Sequence, residues 1–63
     1  MEHEEAQKYL NKKIRLVLFN KYRFTGIVLE TTSSTIIIND IFNQRVSIGL
    51  KEIVSCEVLG NEN

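Results

Sequence analysis

Between residues 14 and 59 the chain is written in short bursts of β-branched and aromatic residues, punctuated at short, regular intervals by Asn, Lys, Thr, Ser and Gly. Punctuation of that kind is typical of small antiparallel sheets and barrels, in which each burst is one strand. Five strands are predicted. The first is 14–19, ended by the turn-like pair Asn20-Lys21, and the second is 22–31. The third is 35–39, after the polar Thr32-Ser33-Ser34; the fourth, 45–49, follows a turn within 39–44; the fifth is 53–59. Residues 60–63 read as a frayed tail. Ahead of the strands, residues 4–11 place Ala6, Tyr9 and Leu10 at helical spacing, with Glu near the start and Lys near the end as the helix dipole prefers. A helix of about two turns does not hold its shape alone and must lie on an apolar surface.

The second strand is apolar on both sides: Phe24 and Val28 share one face, Ile27 and Leu29 the other. A strand of that kind is expected where a small sheet is strongly bent and covered twice. Gly26, mid-strand, permits a sharp bend or a close backbone approach and is read as the bend point. The fold expected is mainly β, a single domain over 1–63. A short N-terminal helix precedes a five-stranded, strongly bent antiparallel sheet forming a small open barrel.

Size sharpens this reading. A chain of 63 residues buries only about 60% of the surface its unfolded form exposes, so it needs help from outside its own core. Cys56 is the only cysteine and cannot bridge within the chain, and His3 is the only histidine, so no zinc ligand set can be written. Self-association remains, and the short fourth and terminal fifth strands supply sheet edges through which it can occur. No cofactor and no metal is expected. The acidic start and the lack of any apolar run near about 20 residues predict a cytoplasmic protein with no membrane partner.

Formal net charge is zero, yet Glu2, Glu4, Glu5 and Glu62 all lie near the two ends. From residue 8 to 59, eight basic residues face only Glu30, Asp40, Glu52 and Glu57, a net of +4. That sign favours an anionic partner without naming one, and an ordinary solvated surface gives the same count.

The order of helix and five strands, with Phe24-Thr25-Gly26-Ile27-Val28 in a bent second strand, resembles the Sm-like family of Sm and LSm proteins and bacterial Hfq. Residues 14–28 resemble the first Sm motif, and Leu50-Lys51-Glu52-Ile53-Val54 the second. The resemblance implies a homo-oligomeric ring, a hexamer or heptamer, in which Val46, Ser47 and Ile48 of one subunit meet Val54, Cys56 and Val58 of the next. It also implies single-stranded RNA around a central pore, held by Thr32, Ser33 and Ser34 and by Gly49, Leu50 and Lys51. The family's acidic, base-stacking and asparagine positions are here Thr32, Ser34 and Ile36, and Gly49-Leu50 replaces its Arg-Gly pair. Those changes remove the uridine pocket's stacking platform and polar recognition, which leaves U-rich or A-rich preference open.

Each candidate has a plainer reading. The hydroxyls of Thr32, Ser33 and Ser34 suit bases or phosphates, and equally suit a plain turn. Lys51 rings a pore with positive charge if repeated by symmetry, or is one solvated lysine. Lys12, Lys13 and Arg15 resemble a basic rim, and also suit a helix C-terminus. Lys21, Tyr22 and Arg23 lie where the opposite face of an Hfq ring binds purine-rich RNA, although Tyr22 also fits a half-buried strand position. Phe19, Phe24 and Phe42 are read as core or subunit-interface anchors, and Cys56 as a small buried apolar residue. With one histidine, one aspartate and three isolated glycines, neither a catalytic constellation nor a phosphate loop can be assembled. The expected function is therefore non-enzymatic, with no small-molecule substrate: an RNA chaperone or ribonucleoprotein scaffold. A ring-forming protein-interaction module that has lost the uridine pocket is the alternative.

Overall fold

The computed structural model describes residues 1–60. The chain is mainly β, with one short helix, α1 (His3–Gln7), and five strands: β1 (Lys13–Leu18), β2 (Arg23–Thr31), β3 (Thr35–Asp40), β4 (Arg45–Gly49) and β5 (Ile53–Gly60). A single 3₁₀ turn, Leu50–Glu52, joins β4 to β5. The strands form one antiparallel sheet in the order β4-β3-β2-β1-β5. Its edges are β4 and β5, which do not pair with each other, so the sheet is not closed into a barrel.

The β4 bounds match the sequence pattern, β2, β3 and β5 differ by one residue at one end, and β1 is shifted by one residue at both ends. Phe19 falls outside β1, and Gly60 ends β5 instead of opening a frayed tail. The rest of the expected tail, residues 61–63, lies outside the described residues. The helix is shorter than the expected 4–11. After Gln7 the backbone tightens to bonds three residues apart, Lys8 N–H to the Glu5 carbonyl at 3.2 Å, Tyr9 to Ala6 at 3.0 Å and Leu10 to Gln7 at 3.3 Å. Asn11 then turns left-handed (φ 67°), which ends any helix. Its N–H donates to the Val28 carbonyl at 2.9 Å, and the Val28 N–H donates to the Lys12 carbonyl at 3.1 Å. α1 thereby docks on β2.

The core is one cluster of ten buried apolar side chains: Ala6, Ile14, Leu16, Leu18, Val28, Ile36, Ile38, Ile48, Leu50 and Ile53. Alternation puts Ile14, Leu16 and Leu18 of β1 and Ile36 and Ile38 of β3 on the same inner face. No polar or charged side chain is buried among the described residues. Among the described residues, ten large apolar side chains nonetheless face solvent.

Two expectations are corrected, and a third in part. Ile27 and Leu29 are 45% and 43% exposed, so β2 is covered on one face only, because the single helix packs on the inner side and nothing lies on the outer one. The ladder irregularity in β2 falls at Leu29, where Val28 opposes Ile38 and Glu30 opposes Ile37. Gly26 serves close approach instead: a Cβ there would collide with the Asn39 carbonyl oxygen and lie 2.9 Å from the Asn39 carbonyl carbon and Asp40 Cα. Among the phenylalanines, only Phe24 packs against the core; Phe19 and Phe42 are 74% and 76% exposed, each in a turn beyond the end of its strand, so for these two the core half of the core-or-interface reading is overturned. Among the described residues no helix is long and apolar enough to cross a membrane.

Candidate nucleic-acid interface

Two segments far apart in sequence meet at one end of the sheet. The Leu50 N–H donates to the Ser34 carbonyl at 2.9 Å, pinning the 3₁₀ turn to the β2–β3 loop. At the other end of that turn the Phe19 N–H donates to the Glu52 carbonyl at 3.1 Å. Ser33, Ser34, Gly49, Leu50 and Lys51 thus line one open cleft of about 580 Å³, together with Glu52. Leu50 contributes backbone, since its side chain is in the core. Thr32 plays a different part from the hydroxyl donor expected of it. Its Oγ1 accepts the N–H groups of Ser34 (3.2 Å) and Thr35 (2.9 Å) and shares a hydrogen with Thr35 Oγ1 at 2.6 Å. A hydroxyl so occupied shapes the loop and has little capacity left for a ligand.

The remaining wall is not legible in the sequence. Met1, Glu2 and His3 also line the cleft, held by the Met1 ammonium donating to the Leu50 carbonyl at 3.1 Å and His3 Nδ1 donating to the Thr32 carbonyl at 2.7 Å. A carbonyl only accepts, so Nδ1 carries the proton of this bond. His3 is therefore a structural contact and not part of a loose tail. These bonds join residues 29 and 49 positions apart, a separation that no local pattern encodes. Two carboxylates, Glu2 and Glu52, share the cleft with Lys51 and the amino terminus, so its charge is mixed.

The opposite-face candidates occupy the β1–β2 turn. Lys21 adopts φ 70°, its N–H donates to the Leu18 carbonyl at 2.9 Å, and the Tyr22 N–H donates to Asn20 Oδ1 at 3.1 Å. Tyr22 is 63% exposed and meets Phe24 edge-on, with ring centroids 6.3 Å apart. It is thus a surface aromatic beside Lys21 and Arg23, not a half-buried strand residue. Lys12 and Lys13 are exposed where α1 hands over to β1. Arg15 differs from them in being paired with Glu57 at 3.0 Å, as Arg45 is with Glu30 at 3.3 Å. Exposed pairs of this sort contribute little stability, but they remove two cations from the basic surface.

No family model matches the chain, and no curated protein matches it.

The residues expected at a subunit interface sit on the two free edges. Val46 and Ile48 point inward from β4, and Ser47 is exposed. On β5, Cys56 and Val58 oppose Leu16 and Ile14, and Val54 is skipped by the ladder between Ser55 and Ile53. Val54 and Val58 are 56% and 44% exposed, which makes this edge apolar and, among the described residues, uncovered. Cys56 is half-buried beside Tyr9. Burial pushes its thiol up to about 11, with Glu5 adding to the rise and a hydrogen bond to Tyr9 opposing it. Burial likewise raises the Tyr9 phenol. A thiol held in its neutral form is a packing group at neutral pH, not a nucleophile.

Proposed function

We propose that the chain is an Sm-like RNA-binding protein that assembles into a homo-oligomeric ring and acts in the cytoplasm as an RNA chaperone or ribonucleoprotein scaffold. The observation that carries this reading is the convergence of the 32–34 loop and residues 49–51 in one cleft with Lys51 on its rim. The two unpaired edges, β4 and β5, give the ring its closing surfaces, and the helix-then-five-strand order agrees with the family resemblance. Base preference in the cleft is weak: Ile36 is fully buried, Thr32 is committed to its own loop, and no aromatic side chain lines the cleft among the described residues. Affinity then comes from phosphate neutralisation and falls with salt, by a log–log slope of about −0.7 for each phosphate contacted on a single strand. Titrating labelled oligo(U) and oligo(A) at several salt concentrations tests this. Salt-dependent binding of either supports it, and no binding at micromolar protein contradicts it.

A second reading, a ring that binds protein and not RNA, is favoured by one feature: Glu2 and Glu52 place negative charge inside the cleft. Pull-down from nuclease-treated extract separates the two, since protein partners that survive the nuclease belong to the second reading.

A further inference from the structure

Residues 1–3 tie together the two segments that build the loop cleft. At one end the Met1 ammonium donates to the Leu50 carbonyl of the 3₁₀ turn at 3.1 Å; at the other, His3 Nδ1 donates to the Thr32 carbonyl, where the β2–β3 loop begins, at 2.7 Å. Glu2, between these anchors, is extended (φ −82°, ψ 154°) and makes no side-chain capping bond to α1. Its side chain is exposed, has no cation within ion-pair distance among the described residues, and lines the cleft together with Lys51. A phosphate drawn to Lys51 therefore meets a like charge beside it. The cleft's other carboxylate, Glu52, is built into the 3₁₀ turn, whereas Glu2 sits on a segment that can leave.

That segment is lightly held. α1 has five residues, too few to persist unsupported, and Ala6 is its one buried residue; ahead of it, Met1 is partly buried against the core. Beyond the helix, the Asn11 N–H is bonded to the Val28 carbonyl and the Val28 N–H to the Lys12 carbonyl. These bonds fix the chain where it enters β1, so residues 1–7 can lift away without loosening the sheet. A segment with two bonds at the cleft and little buried area is the kind that opens first in a folded chain.

We propose that residues 1–3 form an autoinhibitory strap: docked on both loops, they hold the Glu2 carboxylate against an incoming phosphate, and RNA binds the cleft more tightly when they are released. The strap rests on the RNA-binding reading above and adds its control. Coupling of this kind is reciprocal, so bound RNA loosens the strap as the docked strap weakens RNA.

The test compares the full wild-type chain with Glu2→Gln, His3→Ala and Glu4→Gln. Glu2→Gln keeps the shape and removes the charge, and His3→Ala removes an anchor. Glu4→Gln changes net charge equally at an exposed residue that does not line the cleft. Each is titrated with labelled oligo(U) and oligo(A) at several salt concentrations, with circular dichroism confirming the fold. Glu2→Gln and His3→Ala each tighten binding by about two- to fivefold at low salt, and Glu4→Gln stays with wild type. The Glu2→Gln gain fades as the screening length shrinks from about 10 Å at 0.1 M salt to about 3 Å at 1 M. Hydrogen exchange reads the release itself: the wild-type Ala6 N–H, bonded to the Glu2 carbonyl at 3.0 Å, exchanges faster with oligo(U) bound. If wild type binds RNA and both Glu2→Gln and His3→Ala bind it equally well, the strap is overturned and the loop cleft stands. Equal gains from Glu2→Gln and Glu4→Gln reduce the effect to net charge and overturn it too, as does slower Ala6 exchange with RNA bound, which makes residues 1–3 an RNA contact. RNA binding by neither wild type nor any variant overturns both readings. Should His3→Ala lose its fold, Glu2→Gln and the exchange measurement decide.

Discussion

Gly26→Ala adds one methyl group at the place where β2 and β3 come closest. Gly26 is buried between Ile14 of β1 and Asp40 of β3. The new Cβ meets only backbone: it collides with the Asn39 carbonyl oxygen and sits 2.9 Å from two carbons, where real Cβ atoms stay beyond 3.0 Å. No flexible side chain can give way, so β3 must move off β2 and drag the Asp40 turn with it. Alanine is favoured over glycine in a strand interior by about 0.5–1 kcal/mol, and overpacking opposes that with about 1–3 kcal/mol. The balance is a loss of about 1–2 kcal/mol, against a total stability of roughly 3–9 kcal/mol for a chain this size. At about 4–8 °C per kcal/mol, thermal unfolding followed by far-UV circular dichroism falls by roughly 5–15 °C. Chain concentrations must be matched, because any self-association makes Tm concentration-dependent. Gly60→Ala, with nothing within 4 Å of its added methyl, is the control and stays within about 0.5 kcal/mol. A Gly26→Ala protein that melts as high as wild type would refute the close-approach reasoning.

Val54→Lys puts a charge on the free β5 edge at a side chain already 56% exposed; it leaves the protomer folded and shifts light-scattering mass toward monomer. Lys51→Gln weakens oligonucleotide binding and flattens its salt dependence by about 0.7 in log–log slope for each phosphate the lysine neutralised. Asp40→Ala removes the acceptor of two backbone N–H groups and costs about 1–2 kcal/mol in urea unfolding. With the Cys56 thiol pushed up to about 11 from an ordinary 9.0, the unfolded chain loses this proton first. The folded state then holds more protons between those values, and stability falls as pH rises from 9 to 11. Tyr9 acts in the same direction. Cys56→Ala flattens that limb of the pH–stability curve, and native Cys56 reacts slowly with maleimide at neutral pH but rapidly in urea.

The strands are legible in the sequence because β-branched residues and polar punctuation are local signals; β4, bracketed by Gln44 and Gly49, is legible to the residue. What escapes the sequence depends on backbone angles and long-range contacts. The helix reads as too long because Leu10 completes a helical pattern that the left-handed Asn11 cuts short. Gly26 advertises a special position, but only the β2–β3 register separates a bend from a close approach. Phe42 resembles an anchor because large aromatics are usually buried, and nothing local states that Asp40 ties up the turn and turns the ring outward. Of the loop cleft, the serines and Lys51 follow from the family resemblance. Met1, Glu2 and His3 do not, since their place depends on bonds to Leu50 and Thr32.

Native mass spectrometry of the full chain, with and without oligo(A) or oligo(U), tests the central claim most directly. A single closed species, hexameric or heptameric, that takes up oligonucleotide and releases it as salt rises is the predicted result. A monomer at every concentration, or an assembly to which no RNA adds, would contradict the account.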